Sequence, residues 1–148
     1  MVLRIAAAAL LFTLISAAAI AENKLVYQPA KVVYDISDSD PKVLEHLLDR
    51  ASMLQNIYQN DSFEASIVFV VHEGAIPLFG KADRNKHPEL MKRARSLSMG
   101  EVIQFRICKA SANMQGFKKS DLQEFAFLVP MADAEMVRLQ QEGYAYLR

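Results

Sequence analysis

The sequence predicts an α/β domain: a three-layer α/β/α sandwich around a mostly parallel sheet. Three observations predict it. Strand-type and helix-type segments alternate from residue 31 to residue 147. Ile67-Val68-Phe69-Val70-Val71 is an unbroken apolar run between turn signals, the pattern of a strand covered on both faces. The 148 residues suit one domain, with no internal repeat or low-complexity linker to divide it.

The elements follow in order. Residues 1–21 are expected to be a signal peptide rather than part of the fold. Arg4 precedes an apolar run over 5–18, and Ala19-Ile20-Ala21 fits a small-x-small cleavage site. The run is short for a bilayer span of about 20 residues, which disfavours a retained anchor. A single domain is therefore expected over 22–148, exported to the periplasm or beyond, without membrane contact after cleavage. Residues 31–36 hold β-branched and aromatic side chains and form the first strand. Asp40 suits an N-cap and Pro41 a first helical position. The helix they open runs to about 58, with Val43, Leu44, Leu47, Leu48, Ala51, Leu54 and Ile57 at helical spacing. The second strand, 66–71, ends at His72-Glu73-Gly74. One helical turn over 75–79 and a polar loop over 80–87 lead to a basic helix over 88–99, closed by Gly100. Residues 102–108 are the third strand and 109–119 a loop. A short helix starts at Ser120 or Asp121. The fourth strand, 125–129, stops at Pro130. The last helix, 133–142, is capped by Gly143, and 144–147 alternates as a final short strand.

Composition removes several functions. The 17 Lys and Arg balance 17 Asp and Glu, so there is no basic footprint for nucleic acid. The basic residues between 86 and 95 read as a solvated helix face. One cysteine excludes an intrachain disulfide framework and multi-cysteine metal centres. His46, His72 and His87 lack metal-ligand spacing, so neither metal nor cofactor is expected. No G-x-G-x-x-G, Walker or G-x-S-x-G pattern follows a strand. The first βα loop, Ser37-Asp38-Ser39-Asp40, is acidic and has no glycine, which does not suit a phosphate.

Open parallel sheets bind ligands beyond the carboxyl ends of their strands. Three successive strands end near Asp35, His72 and Cys108. The period of two puts Arg106 and Cys108 on one face of the third strand, roughly 7 Å apart. Lys109 follows directly. Positive neighbours favour thiolate, the nucleophilic form. Cys108 is therefore expected to react, with Arg106 and Lys109 stabilising its anion. His72 would orient it or exchange a proton, and Asp35 would stand behind His72. Ser111, Asn113 and Gln115 add hydrogen-bond donors.

Four stretches resemble the DsrE/DsrF-like family. They are Lys31-Val32-Val33-Tyr34-Asp35-Ile36, Val70-Val71-His72-Glu73-Gly74-Ala75, the run from Gly100 through Cys108, and the ending Val137-Arg138-Leu139-Gln140-Gln141-Glu142-Gly143-Tyr144-Ala145-Tyr146-Leu147. The small exported members are the most similar. The resemblance implies a sandwich around a five-stranded, mainly parallel sheet, a homo-oligomer (trimer or hexamer), and a place in sulfur metabolism. In the family's relay members a cysteine carries a persulfide, and Cys108 stands where that cysteine would. One expected function is thus a sulfur carrier or sulfurtransferase-like protein that meets a sulfane-sulfur donor and an acceptor thiol protein. The other is a non-catalytic homo-oligomeric binding module of the cell envelope for a small molecule or protein. Tyr34, His72 and Phe79 would then line the crevice, and Cys108 would be structural.

Overall fold

Five strands in the computed structural model lie in the order β4-β3-β2-β1-β5, and every ladder between them is parallel. They are β1 (Ala30–Ile36), β2 (Ala65–Val71), β3 (Ile103–Cys108), β4 (Ala126–Val129) and β5 (Ala145–Leu147). The helices between them are α1 (Pro41–Ile57), α2 (Pro88–Ser98), α3 (Lys109–Met114) and α4 (Ala132–Gln141). The described residues are 25–81 and 86–148. The expected signal peptide lies outside them, as does the middle of the loop after β2.

The alternation of side chains along each strand separates two layers of core. On one face, Tyr34, Phe69 and Phe105 occupy the same register position on β1, β2 and β3. Their rings stack at 5.0 and 4.9 Å between centroids. Phe79 and Phe125 extend the row. Leu44, Leu47, Leu48 and Ala51 of α1 pack over this face, with Met91 and Ala94 of α2. On the other face Val33, Val68 and Val70 meet Ala132 and Leu139, so the helix over that face is α4. A chain that steps in one direction from β1 to β4 through right-handed crossovers keeps its helices on one side. The reversed step from β4 to β5 puts α4 on the opposite side. The result is the expected three-layer α/β/α sandwich, with a wholly parallel sheet.

Local chemistry explains most element ends. The Asp40 carboxylate accepts from Lys42 N–H at 2.9 Å, and Pro41 sits at the first helical position of α1. Gly143 follows α4 at φ 88°, the left-handed conformation glycine adopts without strain. Two expectations change. Gly100 is not the left-handed residue after α2; Glu101 is, at φ 62°. Residues 109–114 form helix rather than loop. The side chain that caps this helix is the Cys108 sulfur, which no capping rule for Ser, Thr, Asp or Asn would flag.

Candidate functional site

Cys108 ends β3 and begins α3 in one residue. Its Sγ accepts a hydrogen bond from Ser111 N–H at 3.4 Å. Burial pushes the thiol up. Hydrogen bonds from the Ser111 hydroxyl and N–H, and from the N–H groups of Ala132 and Ala110, outweigh burial and bring it below its ordinary 9.0. Ala132 is the first residue of α4, so two helix starts converge on the sulfur. N–H groups at helix starts favour an anion, and here the anion is the thiolate, although the Ala110 N–H also meets the Pro130 carbonyl at 3.3 Å.

His72 and Asp35 stand beside it on the same face of the sheet. The register pairs Val71 with Ile107, so His72 and Cys108 are the next residues on adjacent strands. His72 Nε2 lies 2.6 Å from Asp35 Oδ1. A carboxylate only accepts, so Nε2 carries a proton, while Nδ1 lies 3.9 Å from Glu73 Oε1. Tyr146 of β5 donates its hydroxyl to the other oxygen, Asp35 Oδ2, at 2.6 Å. That hydrogen bond raises the Tyr146 phenol above its ordinary 10.0, and burial adds to the effect. Asp35 thus sits where the strand order reverses, between β2 and β5, and holds a side chain from each neighbour. This reversal is where open α/β sheets leave a crevice.

A cavity of about 320 Å³ opens at this end of the sheet, with His72, Cys108 and Ser111 in its wall. Cys108 is only 2% exposed, so a reagent reaches Sγ through the cavity. Met114 and Met131, both exposed, flank the mouth with Gln115, Glu73 and Asp133. Glu73 adopts φ 46°, a strained value for a residue with a Cβ. Gln115 Nε2 donates to its carbonyl at 2.6 Å and ties α3 to the turn after β2. Gly74 follows because nothing larger fits: a Cβ there would lie 2.9 Å from the Ser37 carbonyl oxygen. The turns after β2 and β3 are therefore tied together at the cavity, and the loop after β1 packs closely against Gly74.

The structure brings Asp35, His72 and Cys108 to one edge but sends two other expected site residues elsewhere. Arg106 shares the face of Cys108, yet its guanidinium is held by Glu135 and by Gln104 at 3.0 Å. Lys109 points to a neighbouring hollow that Lys119 and Phe117 also line. Neither cation accounts for the lowered thiol; backbone N–H groups and Ser111 do. Tyr34 and Phe79 do not line the crevice either, since both are buried in the aromatic row on the opposite face. Sequence reasoning missed Tyr146 and Glu73. The odd–even alternation of the last strand is a signal for Tyr146. A left-handed glutamate leaves no signal at all.

Other hollows adjoin the sheet: Asp35, Ser37 and Arg148 line one of about 540 Å³ beyond β1, and Lys109, Val129 and Pro130 line one of about 430 Å³ beyond β3 and β4. Another, of about 600 Å³, is at the opposite end of β2 and β3 and is lined by Ser62, Ser66, Met99 and Phe127. Among the described residues no three His, Cys, Asp or Glu side chains converge as a metal site. None of the described helices is long and apolar enough to cross a membrane.

A solved structure of a protein of unknown function from Methanobacterium thermoautotrophicum is similar to this chain. It aligns with a TM-score of 0.63 at 21% identity, over 80% of this chain and 98% of that one. A likeness at this identity shows the fold. No family model matches the sequence, and no curated protein does. The functional reading therefore rests on the site itself.

Proposed function

We propose that the chain is a sulfur carrier that holds a persulfide on Cys108. The observation that supports this most is the sulfur's position in the wall of a cavity at the carboxyl edge of the sheet, where the Ser111 hydroxyl and the N–H groups of Ser111, Ala132 and Ala110 lower the thiol. In the loading step Cys108 thiolate attacks the outer sulfur of a donor persulfide R–S–SH. The donor's S–S bond breaks, a new one forms to Cys108, and R–S⁻ departs. In unloading, an acceptor thiolate attacks the same outer sulfur and Cys108 leaves as thiolate. His72, with Nε2–H fixed by Asp35, offers Nδ1 for proton exchange with the departing or arriving thiol.

Membership of the DsrE/DsrF-like family, export after loss of residues 1–21, and assembly into a homo-oligomer belong to the same proposal. Sequencing the N-terminus of the secreted protein and light scattering check the last two. The main test is mass spectrometry after incubation with polysulfide, thiosulfate or an organic persulfide. An adduct of about 32 Da, the mass of one sulfur, is expected on Cys108 and not in Cys108→Ser. No adduct from any donor, or an unchanged adduct in the variant, overturns the reading.

One observation favours a binding module instead: Cys108 is almost fully buried and caps α3. On that reading the native thiol reacts sluggishly with alkylating reagents, and Cys108→Ser keeps whatever the protein binds.

A further inference from the structure

The Cys108 cavity has a charge pattern that the sequence did not foretell. Arg106 and Lys109, the cations nearest to Cys108 along the chain, are both absent from its described wall. Arg106 is neutralised by Glu135, which also binds Arg138. Lys109 belongs to the neighbouring hollow. The charged side chains that do line the cavity, among the described residues, are Glu73 and Asp133, with His72 held by Asp35 and its Nδ1 3.9 Å from Glu73 Oε1. Glu73 and Asp133 come from different elements, the turn after β2 and the first turn of α4. Both carboxylates are open to solvent at the mouth. The thioethers of Met114 and Met131 complete the approach and offer polarisable apolar surface.

Charge at the floor and charge at the mouth act on different things. The Ser111 N–H meets the sulfur at 3.4 Å, and with the Ser111 hydroxyl and the N–H groups of Ala132 and Ala110 it favours negative charge there. The mouth carboxylates meet the body of the incoming donor. We infer that the Cys108 cavity selects neutral or cationic sulfane-sulfur donors, such as aminoalkyl persulfides, and disfavours anionic ones such as thiosulfate. The inference rests on the sulfur-carrier reading for its substrate, but the charge filter can be measured separately.

Two reagent series test it. The first comprises persulfides of cysteamine, mercaptoethanol and mercaptoethanesulfonate, which share the S–SH group and differ in the charge on R. The second comprises aminoethyl and sulfonatoethyl methanethiosulfonate, which modify a thiolate without any persulfide. Rates are divided by those of a free small thiol with the same reagent. At low ionic strength the cationic member of each series should react about tenfold faster than the anionic one. The ratio should shrink as salt is added and fall close to one in the Glu73→Gln/Asp133→Asn double variant. Equal rates, a faster anionic reagent, or a ratio that survives in the double variant would overturn the filter. A charge-dependent methanethiosulfonate series with no persulfide adduct from any donor would support the filter and reject the carrier reading.

Discussion

Tyr34, Phe69 and Phe105 leave one side of β1, β2 and β3, while Val33, Val70 and Cys108 leave the other. The first face is a continuous aromatic row sealed by α1 and α2. The second has α4 laid over β1 and β2, and the ionisable groups of the site stand on it. Asp35, His72, Arg106 and Cys108 all belong to this face. Its outer part over β4 stays bare enough that Phe127 is 63% exposed. The same strands thus serve two purposes by alternation alone. The sealed face contributes most of the apolar burial, and the thinner face leaves room for a cavity at the strand ends.

Mutations can break this contrast or sharpen it. Phe105→Ala should cost about 3–5 kcal/mol, because it empties the centre of the sealed face. Denaturant titration measures it, and a loss below about 1 kcal/mol would mean that the aromatic row is not the main core. Glu135→Gln on the thinner face should cost about 1–2 kcal/mol, less than a fully buried pair, because Arg138 remains half exposed to solvent. Its pH dependence has a defined sign. The hydrogen bond from Arg138 outweighs burial and, with Arg106, holds Glu135 below its ordinary 4.5. A depressed carboxyl stabilises the fold fully above the unfolded value and loses that effect as pH falls through the folded one. The gap between wild type and Glu135→Gln should therefore close in acid and stay constant near neutrality.

Smaller effects are expected nearer the cavity. Asp35→Asn removes the charge that Tyr146 and His72 share, at about 1 kcal/mol. Ultraviolet titration should show the Tyr146 phenol returning toward 10.0. An unchanged phenol would deny that Asp35 links β5 to β2. Cys108→Ser should cost least, within about 1 kcal/mol, because the hydroxyl can still cap α3. The wild-type thiol should show an alkylation profile that turns over below 9.0. A profile at or above 9.0 would remove the distinction between a reactive and a merely packed cysteine.

Much of this architecture was legible. Apolar alternation in β1, the unbroken run in β2 and the stripe of α1 fixed the layers, because burial of apolar surface dominates and its spacing is written along the chain. Asp35, His72 and Cys108 were legible as strand ends for the same reason. The electrostatics were not. Arg106 and Lys109 are next to Cys108 in sequence, but long charged side chains go to whichever partner the tertiary structure offers. For Arg106 that partner is Glu135, 29 positions away. The helix over 109–114 was hidden because its cap is a sulfur, and the same contact lowers the thiol.

By itself the sequence determined the order of the strands, the two faces of the third strand and the placing of three chemical side chains at one edge of a parallel sheet. Those follow from local periodicity, which each segment carries alone. Only the tertiary structure decided which N–H groups meet Cys108, that Tyr146 joins His72 on Asp35, and that carboxylates rather than cations stand at the cavity mouth. Such contacts join residues from separate elements, and their energies depend on distance and burial that no single segment contains.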